Sequence, residues 1–333
     1  MNDGPLVIAI PSKGRLQENA AAFFRRAGLP LTQSRGLRGY RGSIAGVADC
    51  DVMFLSAAEI VTQLASGAAH LGITGEDLLR EGVPDADTRL ELLAKLGFGG
   101  ANVVVAVPQS WIDVRTMADL DEVAGEMRVR HGRRLKVATK YLNLTRRFFA
   151  EAGIVDYRIV ESLGATEAAP QSGTADLIVD ITTTGATLAA NGLKVLDDGT
   201  ILRSEANLAA SPAAAWGARA RGAAWTLLAR MAAEEEARTT REIRAGIEPG
   251  RARLSELGER FGATLPFGRD LSHELVLHCP AEGVFSVVDA LVGAGAKDVT
   301  VRTLDYVFKT SNAMADRLFA RLGEPAGRSQ GLP

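Results

Sequence analysis

Residues 177–193 read LIVDITTTGATLAANGL and combine a strand, a hydroxyl-rich turn and the start of a helix. The first five residues form an apolar run with one acid, Asp180, which is typical of a strand in a sheet covered on both faces. Ligands of open α/β sheets bind at the carboxyl ends of the strands. The turn that follows Ile181 is therefore the first candidate for a binding site.

The turn offers several hydrogen-bond donors to a phosphate group. They are the hydroxyls of Thr182, Thr183, Thr184 and Thr187 and the backbone N–H groups of the turn, with Gly185 and Ala186 at its centre. A helix predicted from about Thr187 adds its positive N-terminal end. Asp180 repels a phosphate but can accept hydrogen bonds from the two hydroxyls of a ribose. The pattern predicts a ribose-5-phosphate site, and a plain strand–turn–helix with threonines as turn residues is the alternative.

Length and composition limit the class of protein. A chain of 333 residues predicts two or three domains, and 47% hydrophobic with 23% charged residues is ordinary for a globular protein. The net charge of −2 favours neither nucleic acid nor an anionic membrane surface, and no apolar run is long enough for a membrane span. The N-terminus MNDGPLVIAI has no basic leader, so we expect a cytoplasmic protein without nucleic-acid or membrane partners.

The chain predicts no dedicated metal site. Cys50 and Cys279 lie far apart without CxxC spacing, so we expect buried, reduced thiols. The four histidines form neither HxxxH nor HExxH.

The first two hundred residues alternate short apolar runs with amphipathic runs, which predicts an α/β fold. Predicted strands are 6–10, 51–55, 71–74, 102–107, 135–139, 157–160 and 177–181, and predicted helices are 17–27, 57–65, 142–152 and 165–171. Residues 211–238 predict one long helix that is capped by Ser211, with Pro212 in its first turn.

The remaining chain predicts a small α+β unit of βαββαβ order. Its strands are expected near 240–245, 263–267, 274–279 and 298–304, and its helices near 251–261 and 283–292. This order indicates a ferredoxin-like module.

Several motifs together resemble those of the ATP phosphoribosyltransferases, the first enzymes of histidine biosynthesis. These are IAIPSKGRL, HLGITGEDLL, KLGFGGANVVVAVP, VATKYLNLTRRFF, ILRSEANL and the segment around residue 180, in the order and spacing of that family. The resemblance covers residues 6–208, and the tail is similar to the regulatory domain of the long form.

The resemblance implies an α/β fold with a two-lobed, type II periplasmic-binding-protein-like core and a ferredoxin-like (ACT/PII-like) regulatory domain. Lobe I is expected at residues 1–98 and 189–211, lobe II at 99–188, a linking helix at 212–238 and the regulatory domain at 239–325. The implied reaction is attack of N1 of ATP on C1 of phosphoribosyl pyrophosphate, with release of magnesium-bound pyrophosphate. Mg²⁺ would be held through substrate phosphates and not by a protein cage. The resemblance also implies histidine as an effector and homo-oligomers, from dimers to hexamers.

The other motifs fit this setting. Lys13 and Arg15, in a loop after the first strand, are expected to neutralise polyphosphate and to join Asp180 as catalytic residues. Substrate contacts are also expected from Gly75 and Glu76 in GITGED, from Lys140 and Tyr141 at the start of TKYLNLTRRFF, and from Glu161 and Glu167. Helix capping remains an alternative role for Glu167.

Two residues depart from the family pattern. Ser56 stands where an arginine is common and His70 where an aspartate is common, so we expect the ATP half of the site to be arranged differently. His70 lies within a strand-like run and is expected to pack in the core.

Two other functions remain open at this stage. A two-lobed solute-binding or sensor protein without catalysis would share the fold. An enzyme with the same chemistry that acts on another base would release pyrophosphate with a nucleobase in place of ATP.

Overall fold

The computed structural model describes residues 3–33, 40–247, 254–268 and 274–323. The chain divides into two compact units. The first comprises Met1–Ala22, Leu31–Ile44 and Ala48–Arg221, and the second comprises Phe23–Pro30, Ala45–Val47 and Gly222–Pro333.

Twelve strands of the described chain precede residue 211. They are β1 Leu6–Pro11, β2 Leu31–Gln33, β3 Arg41–Ile44, β4 Cys50–Leu55, β5 Leu71–Gly75, β6 Glu91–Lys95, β7 Ala101–Pro108, β8 Leu135–Thr139, β9 Tyr157–Glu161, β10 Leu177–Thr182, β11 Leu193–Ser204 and β12 Ala206–Ala210. The helices are α1 Gly14–Arg26, α2 Ala57–Ser66, α3 Glu76–Gly82, α4 Ala86–Arg89, α5 Met117–His131, α6 Leu142–Glu151, α7 Ala186–Ala190 and α8 Ala218–Thr239.

The first lobe is built on a sheet of order β2-β3-β4-β1-β5-β12-β6. Strand β1 pairs in parallel with β4 and β5, and β12 runs antiparallel between β5 and β6. Leu6, Ile8 and Ile10 of β1 are fully buried, as expected for an apolar strand covered on both faces.

The second lobe is built on a sheet of order β11-β7-β10-β8-β9. Strands β8, β9 and β10 are parallel, and β7 is antiparallel to its neighbours β10 and β11. The two sheets share one topology. In each lobe the second, first and third parallel strands along the chain lie side by side, as β4-β1-β5 and as β9-β8-β10. The next strand, β12 or β7, is antiparallel and enters from the other lobe. The predicted two-lobed, type II α/β core is confirmed.

The return to the first sheet lies later than the predicted residue 189. Strand β11 pairs with β7 of the second sheet, with register shifts near Thr200, and the first sheet is rejoined only at β12. The local pattern does not reveal which sheet an antiparallel strand joins, because that choice depends on long-range pairing.

The long helix starts later than Ser211. Ser211 donates its N–H to His70 O (2.9 Å) and accepts from Trp216 Nε1 (2.8 Å), and α8 begins at Ala218. The bond to His70 and the local bond from Trp216 accompany a non-helical segment at residues 211–217. The helix predicted at 165–171 is also wrong, because only a 3-10 turn, Thr166–Ala168, forms there.

The second unit contains a sheet of order β14-β13-β15, with β13 Thr240–Gly246, β14 Glu274–Pro280 and β15 Val299–Thr303. Its helices are α9 Leu254–Phe261, α10 Val284–Gly293 and α11 Ala313–Arg321. Helices α9 and α10 contribute to a core with Ile243 and Leu277.

The order of elements agrees with the predicted ferredoxin-like module except at the strand 263–267. Within the described residues, that segment makes an isolated bridge between Thr264 and His278. Pro266 lacks an N–H group for a continuous ladder. The predicted helix start at 251–253 and the predicted domain end at 324–325 lie outside the described residues.

The sequence also carries expectations for the cysteines and for the hydropathy of the helices. Cys50 and Cys279 are buried and free, as predicted. Among the helices of the described chain, none is both long enough and apolar enough to cross a lipid bilayer.

Candidate active site

The turn after β10 is held by its own threonine hydroxyls. Thr182 Oγ1 accepts from the N–H of Gly185 at 2.8 Å, and Thr184 Oγ1 accepts from the N–H of Ala186 at 3.4 Å. Because a hydroxyl that accepts a hydrogen bond still carries its own proton, both threonines can donate to a ligand. Gly185 adopts φ 78°, a conformation that residues with a Cβ rarely take.

A third threonine ties the turn to the segment that crosses between the lobes. Thr183 Oγ1 donates to the carbonyl of Gly100 at 3.1 Å. Thr187 lies exposed in the first turn of α7. Since α7 has only five residues, its dipole contributes little, and the donors of the turn itself carry most of the anion-binding capacity.

Asp180 lies half-buried at the carboxyl end of β10. Its Oδ1 accepts from the N–H of Ile181 at 2.8 Å. Burial raises the pKa of Asp180; the Ile181 hydrogen bond and the charge of Lys140 lower it, and Glu167 raises it further, with a net upward shift. The charges of Lys140 and Glu167 therefore both act on Asp180.

Glu161 belongs to the same edge of the second sheet. It is the last residue of β9, is exposed, and pairs in register with Thr139 at the end of β8. Glu167 lies in the 3-10 turn Thr166–Ala168, and its charge acts on Asp180.

Tyr141 was expected to line the site, but its side chain is almost fully buried at 1% exposure. Its hydroxyl donates to Asp77 Oδ2 at 2.7 Å, and Ser204 donates to Asp77 Oδ1 at 2.8 Å. Burial and the Asp77 carboxylate raise the pKa of Tyr141. The ring supports Lys140, whose Nζ lies 5.1 Å from the ring centroid.

Asp77, Ser204 and Glu81 are residues of this region that sequence reasoning did not select. The Glu81 carboxylate accepts from the N–H groups of Asn143 (2.9 and 3.0 Å) and Leu144 (3.0 Å), which open α6. These amides are therefore not free to bind the phosphates of a nucleotide in this conformation. Asp77 and Glu81 are four residues apart and therefore lie on one face of α3. This spacing is the sequence signal by which the two acids could have been found.

Glu76 also faces the interior of the first lobe. It is 6% exposed and forms an ion pair with Arg80 at 2.7 Å. Gly75 ends β5 and precedes α3, and a Cβ there would lie 2.3 Å from Asp77 Oδ1. The GITGED loop thus places Asp77, and not Glu76, toward Tyr141.

Lys13 and Arg15 are exposed in the first lobe. Lys13 follows β1 as predicted, whereas Arg15 lies in the first turn of α1 and not in a loop. The charge of Lys13 contributes to the lowered pKa of Glu59, after the larger effect of the hydrogen bonds from Ser56. No hydrogen bond or ion pair joins these two cations to Asp180 within the described residues.

The two departures from the family pattern have structural roles. Ser56 caps α2 and forms a reciprocal capping box with Glu59. His70 is buried, accepts from Val7 N at 3.0 Å and lies 3.1 Å from Ala215 O. Its 6% exposure confirms the expected core histidine, and this burial lowers its pKa.

The acidic groups do not form a metal cage. Among the described residues, no three His, Cys, Asp or Glu side chains converge as metal ligands. The separate carboxylates of Glu161 and Glu167 suit an ion that keeps most of its ligands from water and phosphate, as Mg²⁺ does.

Comparison with known proteins identifies the family. The model of the family described as HisG, ATP phosphoribosyltransferase, matches residues 56–232. An ATP phosphoribosyltransferase of Afipia carboxidovorans is 58% identical over 96% of this chain and 99% of its own length. That of Nitrobacter winogradskyi is 58% identical over 94% and 97%, respectively.

One solved structure is also similar. A chain of the ATP phosphoribosyl transferase (HisG:HisZ) complex from Thermotoga maritima is 27% identical, with a TM-score of 0.48. The match covers 62% of this chain and 88% of that chain. The family model and the two near full-length relatives decide between the functions left open by the sequence. The chain belongs to the ATP phosphoribosyltransferase family and catalyses the first step of histidine biosynthesis.

Proposed function

We propose that the turn after β10 binds the 5′-phosphate of phosphoribosyl pyrophosphate and that Asp180 binds the ribose. The observation that carries this proposal is the convergence of Asp180 and the threonine turn at the end of one strand. A phosphate oxygen would accept from the hydroxyls of Thr182, Thr184 and Thr187. The Thr183 hydroxyl and the N–H groups of Gly185 and Ala186 donate within the protein in this conformation and would bind the phosphate only by exchanging those bonds. An ionised Asp180 would accept from the ribose hydroxyls.

Holding the sugar in this way leaves C1 open to ATP. N1 of the adenine ring forms a bond to C1 as the bond from C1 to the pyrophosphate oxygen breaks, and the electron pair leaves with pyrophosphate. No protein nucleophile takes part. Catalysis then depends on the alignment of the two substrates and on stabilisation of the leaving group.

Cations from the two lobes would neutralise the pyrophosphate. Lys13 and Arg15 are exposed after β1, and Lys140 follows β8. A magnesium ion carried by the pyrophosphate would lower the charge of the leaving group, and Glu161 and Glu167 are the carboxylates that would reach it. Tyr141 would act indirectly by supporting Lys140, and Glu76 would act indirectly through α3. Gly75 would set the conformation of the loop between β5 and α3.

We further assign residues 1–98 with the returning strand β12 to lobe I, and residue 99 through β11 to lobe II. Helix α8 would link the core to a regulatory domain at residues 239–325 that binds histidine. The enzyme is expected to act in the cytoplasm, where its substrates are made, and to form homo-oligomers from dimers to hexamers.

The proposed site is tested by turnover with ATP, Mg²⁺ and phosphoribosyl pyrophosphate. Asp180→Ala should lower kcat/KM by about a hundredfold or more, because the ribose contact is lost, while far-UV circular dichroism stays unchanged. Release of pyrophosphate is the measurement. Wild-type kinetics in Asp180→Ala would show that the sugar binds elsewhere.

A further inference from the structure

Helix α6 begins against a residue from the other lobe. The carboxylate of Glu81 accepts hydrogen bonds from the N–H groups of Asn143 and Leu144, in the first turn of α6, at 2.9–3.0 Å. Asn143 Nδ2 also donates to the backbone carbonyl of Glu81 at 2.9 Å. Glu81 belongs to α3 of the first lobe, whereas Asn143 and Leu144 belong to the second.

The helix has no cap of its own at this end. Its N-cap residue is Tyr141, whose side chain makes no capping hydrogen bond. Helices are commonly capped by a Ser, Thr, Asp or Asn of the same segment, but here the acceptor comes from 62 residues before Asn143 in the chain. The N–H groups of Asn143 and Leu144, in the first turn of α6, therefore find their acceptor where the two lobes meet.

This docking point adjoins the proposed sugar-phosphate site. Lys140 lies between the end of β8 and the start of α6, so displacement of α6 moves Lys140. Tyr141, the next residue, is anchored to Asp77 of α3 and supports Lys140 over its ring. The charge of Lys140 in turn acts on Asp180.

We propose that Glu81 is a positioning residue: by binding the first turn of α6 across the lobes, it holds Lys140 in place beside Asp180 and so sets the affinity for phosphoribosyl pyrophosphate. This inference rests on the proposed roles of Asp180 and Lys140. Glu81 itself contacts neither substrate in this arrangement.

The test must separate positioning from simple stabilisation of a helix. Glu81→Ala removes the charge at the helix start and the side-chain bonds between the lobes, and leaves only the bond from Asn143 Nδ2 to the backbone carbonyl of residue 81 at this point. The double variant Glu81→Ala/Asn143→Asp returns an acid to the first turn of α6 but does not restore the bond to α3. Glu151→Ala, which removes an exposed acid at the other end of α6, is the matched control.

We expect Glu81→Ala to raise the KM for phosphoribosyl pyrophosphate about tenfold, to change the KM for ATP by less than about twofold, and to lower Tm. The double variant should recover Tm but keep the high KM, and Glu151→Ala should keep the wild-type KM. Recovery of the KM in the double variant, or a wild-type KM in Glu81→Ala, would overturn the proposal.

Asp180→Ala, measured in the same series, separates this inference from the proposed function. If Asp180→Ala is inactive while Glu81→Ala binds substrate normally, the sugar-phosphate site stands and positioning by Glu81 is wrong. If Asp180→Ala has wild-type kinetics, the site assignment fails and the role of Glu81 fails with it.

Discussion

The surroundings of Asp180 shift its pKa in both directions. Burial and Glu167 favour the protonated acid, whereas the Ile181 N–H and Lys140 favour the carboxylate. The net upward shift of its pKa matters because the carboxylate accepts strong hydrogen bonds on both oxygens, whereas the protonated acid uses one oxygen as a donor and is a weaker acceptor for the ribose hydroxyls. Activity should therefore increase as pH rises through the pKa of Asp180.

This arrangement predicts opposite pH shifts in two variants. Glu167→Gln removes a negative neighbour, so the pKa of Asp180 falls and the acid limb of kcat/KM for phosphoribosyl pyrophosphate moves to lower pH. Lys140→Gln removes a positive neighbour and should move the limb to higher pH. The pH profiles of both variants, compared with wild type, provide the measurement. Identical acid limbs in all three proteins would contradict the assignment of that limb to Asp180.

Thr187 is the other residue whose contribution can be isolated. Its side chain is exposed, so Thr187→Val keeps the shape and should leave the fold intact. Loss of one hydrogen bond to a charged phosphate should raise the KM for phosphoribosyl pyrophosphate about tenfold and the KM for ATP much less. Steady-state kinetics with each substrate varied in turn check this, and equal effects on both KM values would argue against a phosphate contact.

The turn between β10 and α7 depends on one backbone conformation. Gly185 has a φ of 78°, and its N–H group is held by Thr182. Space does not require glycine there, since nothing lies within 4 Å of an added Cβ. The conformation does, because a Cβ at positive φ is close to the following carbonyl oxygen.

Gly185→Ala should therefore combine a small loss of stability with a loss of substrate affinity. We expect the free energy of unfolding to fall by about 1 kcal/mol and the KM for phosphoribosyl pyrophosphate to rise. Gly153→Ala is the matched control, because Gly153 has φ 79° and equally open surroundings after α6. Urea unfolding and kinetics of both variants test this. A normal KM in Gly185→Ala would mean that the turn does not bind substrate in this conformation.

At the scale of the whole molecule, the C-terminal sheet of the second unit has a hydrophobic core among the described residues of that unit. The described core of the C-terminal sheet is formed by Ile243, Leu277, Val287 and neighbouring apolar residues. An independent core suits a domain that binds an effector without forming part of the catalytic pocket.

Histidine should consequently inhibit the full chain but not a chain that ends at Arg238. The shortened enzyme is expected to keep turnover, because the residues proposed to bind substrate all precede α8. Inhibition curves for both chains are the measurement, with circular dichroism and turnover without histidine as controls. Equal inhibition of the two chains would remove the regulatory role from the C-terminal unit.

Local sequence patterns were sufficient for seven of the strands before residue 211 and for the turn after β10, but they did not reveal β2, β3, β6, β11 and β12. The strands β1, β8 and β10 are each a short, largely apolar run in the sequence. Gly185 and the hydroxyls of Thr182 and Thr184 form the turn from local bonds, and Thr183 adds one bond to the distant Gly100. The family, too, follows from motifs whose spacing is visible along the chain.

Contacts between distant segments required the folded chain. The bond from Tyr141 to Asp77, the cap that Glu81 places on α6, and the pairing of β11 with the second sheet each join residues more than sixty positions apart. Such partners leave no periodic signal, because hydrogen bonds and strand pairing across a fold depend on how whole elements pack. Tyr141 was for this reason predicted as a substrate contact, although packing buries it between the lobes.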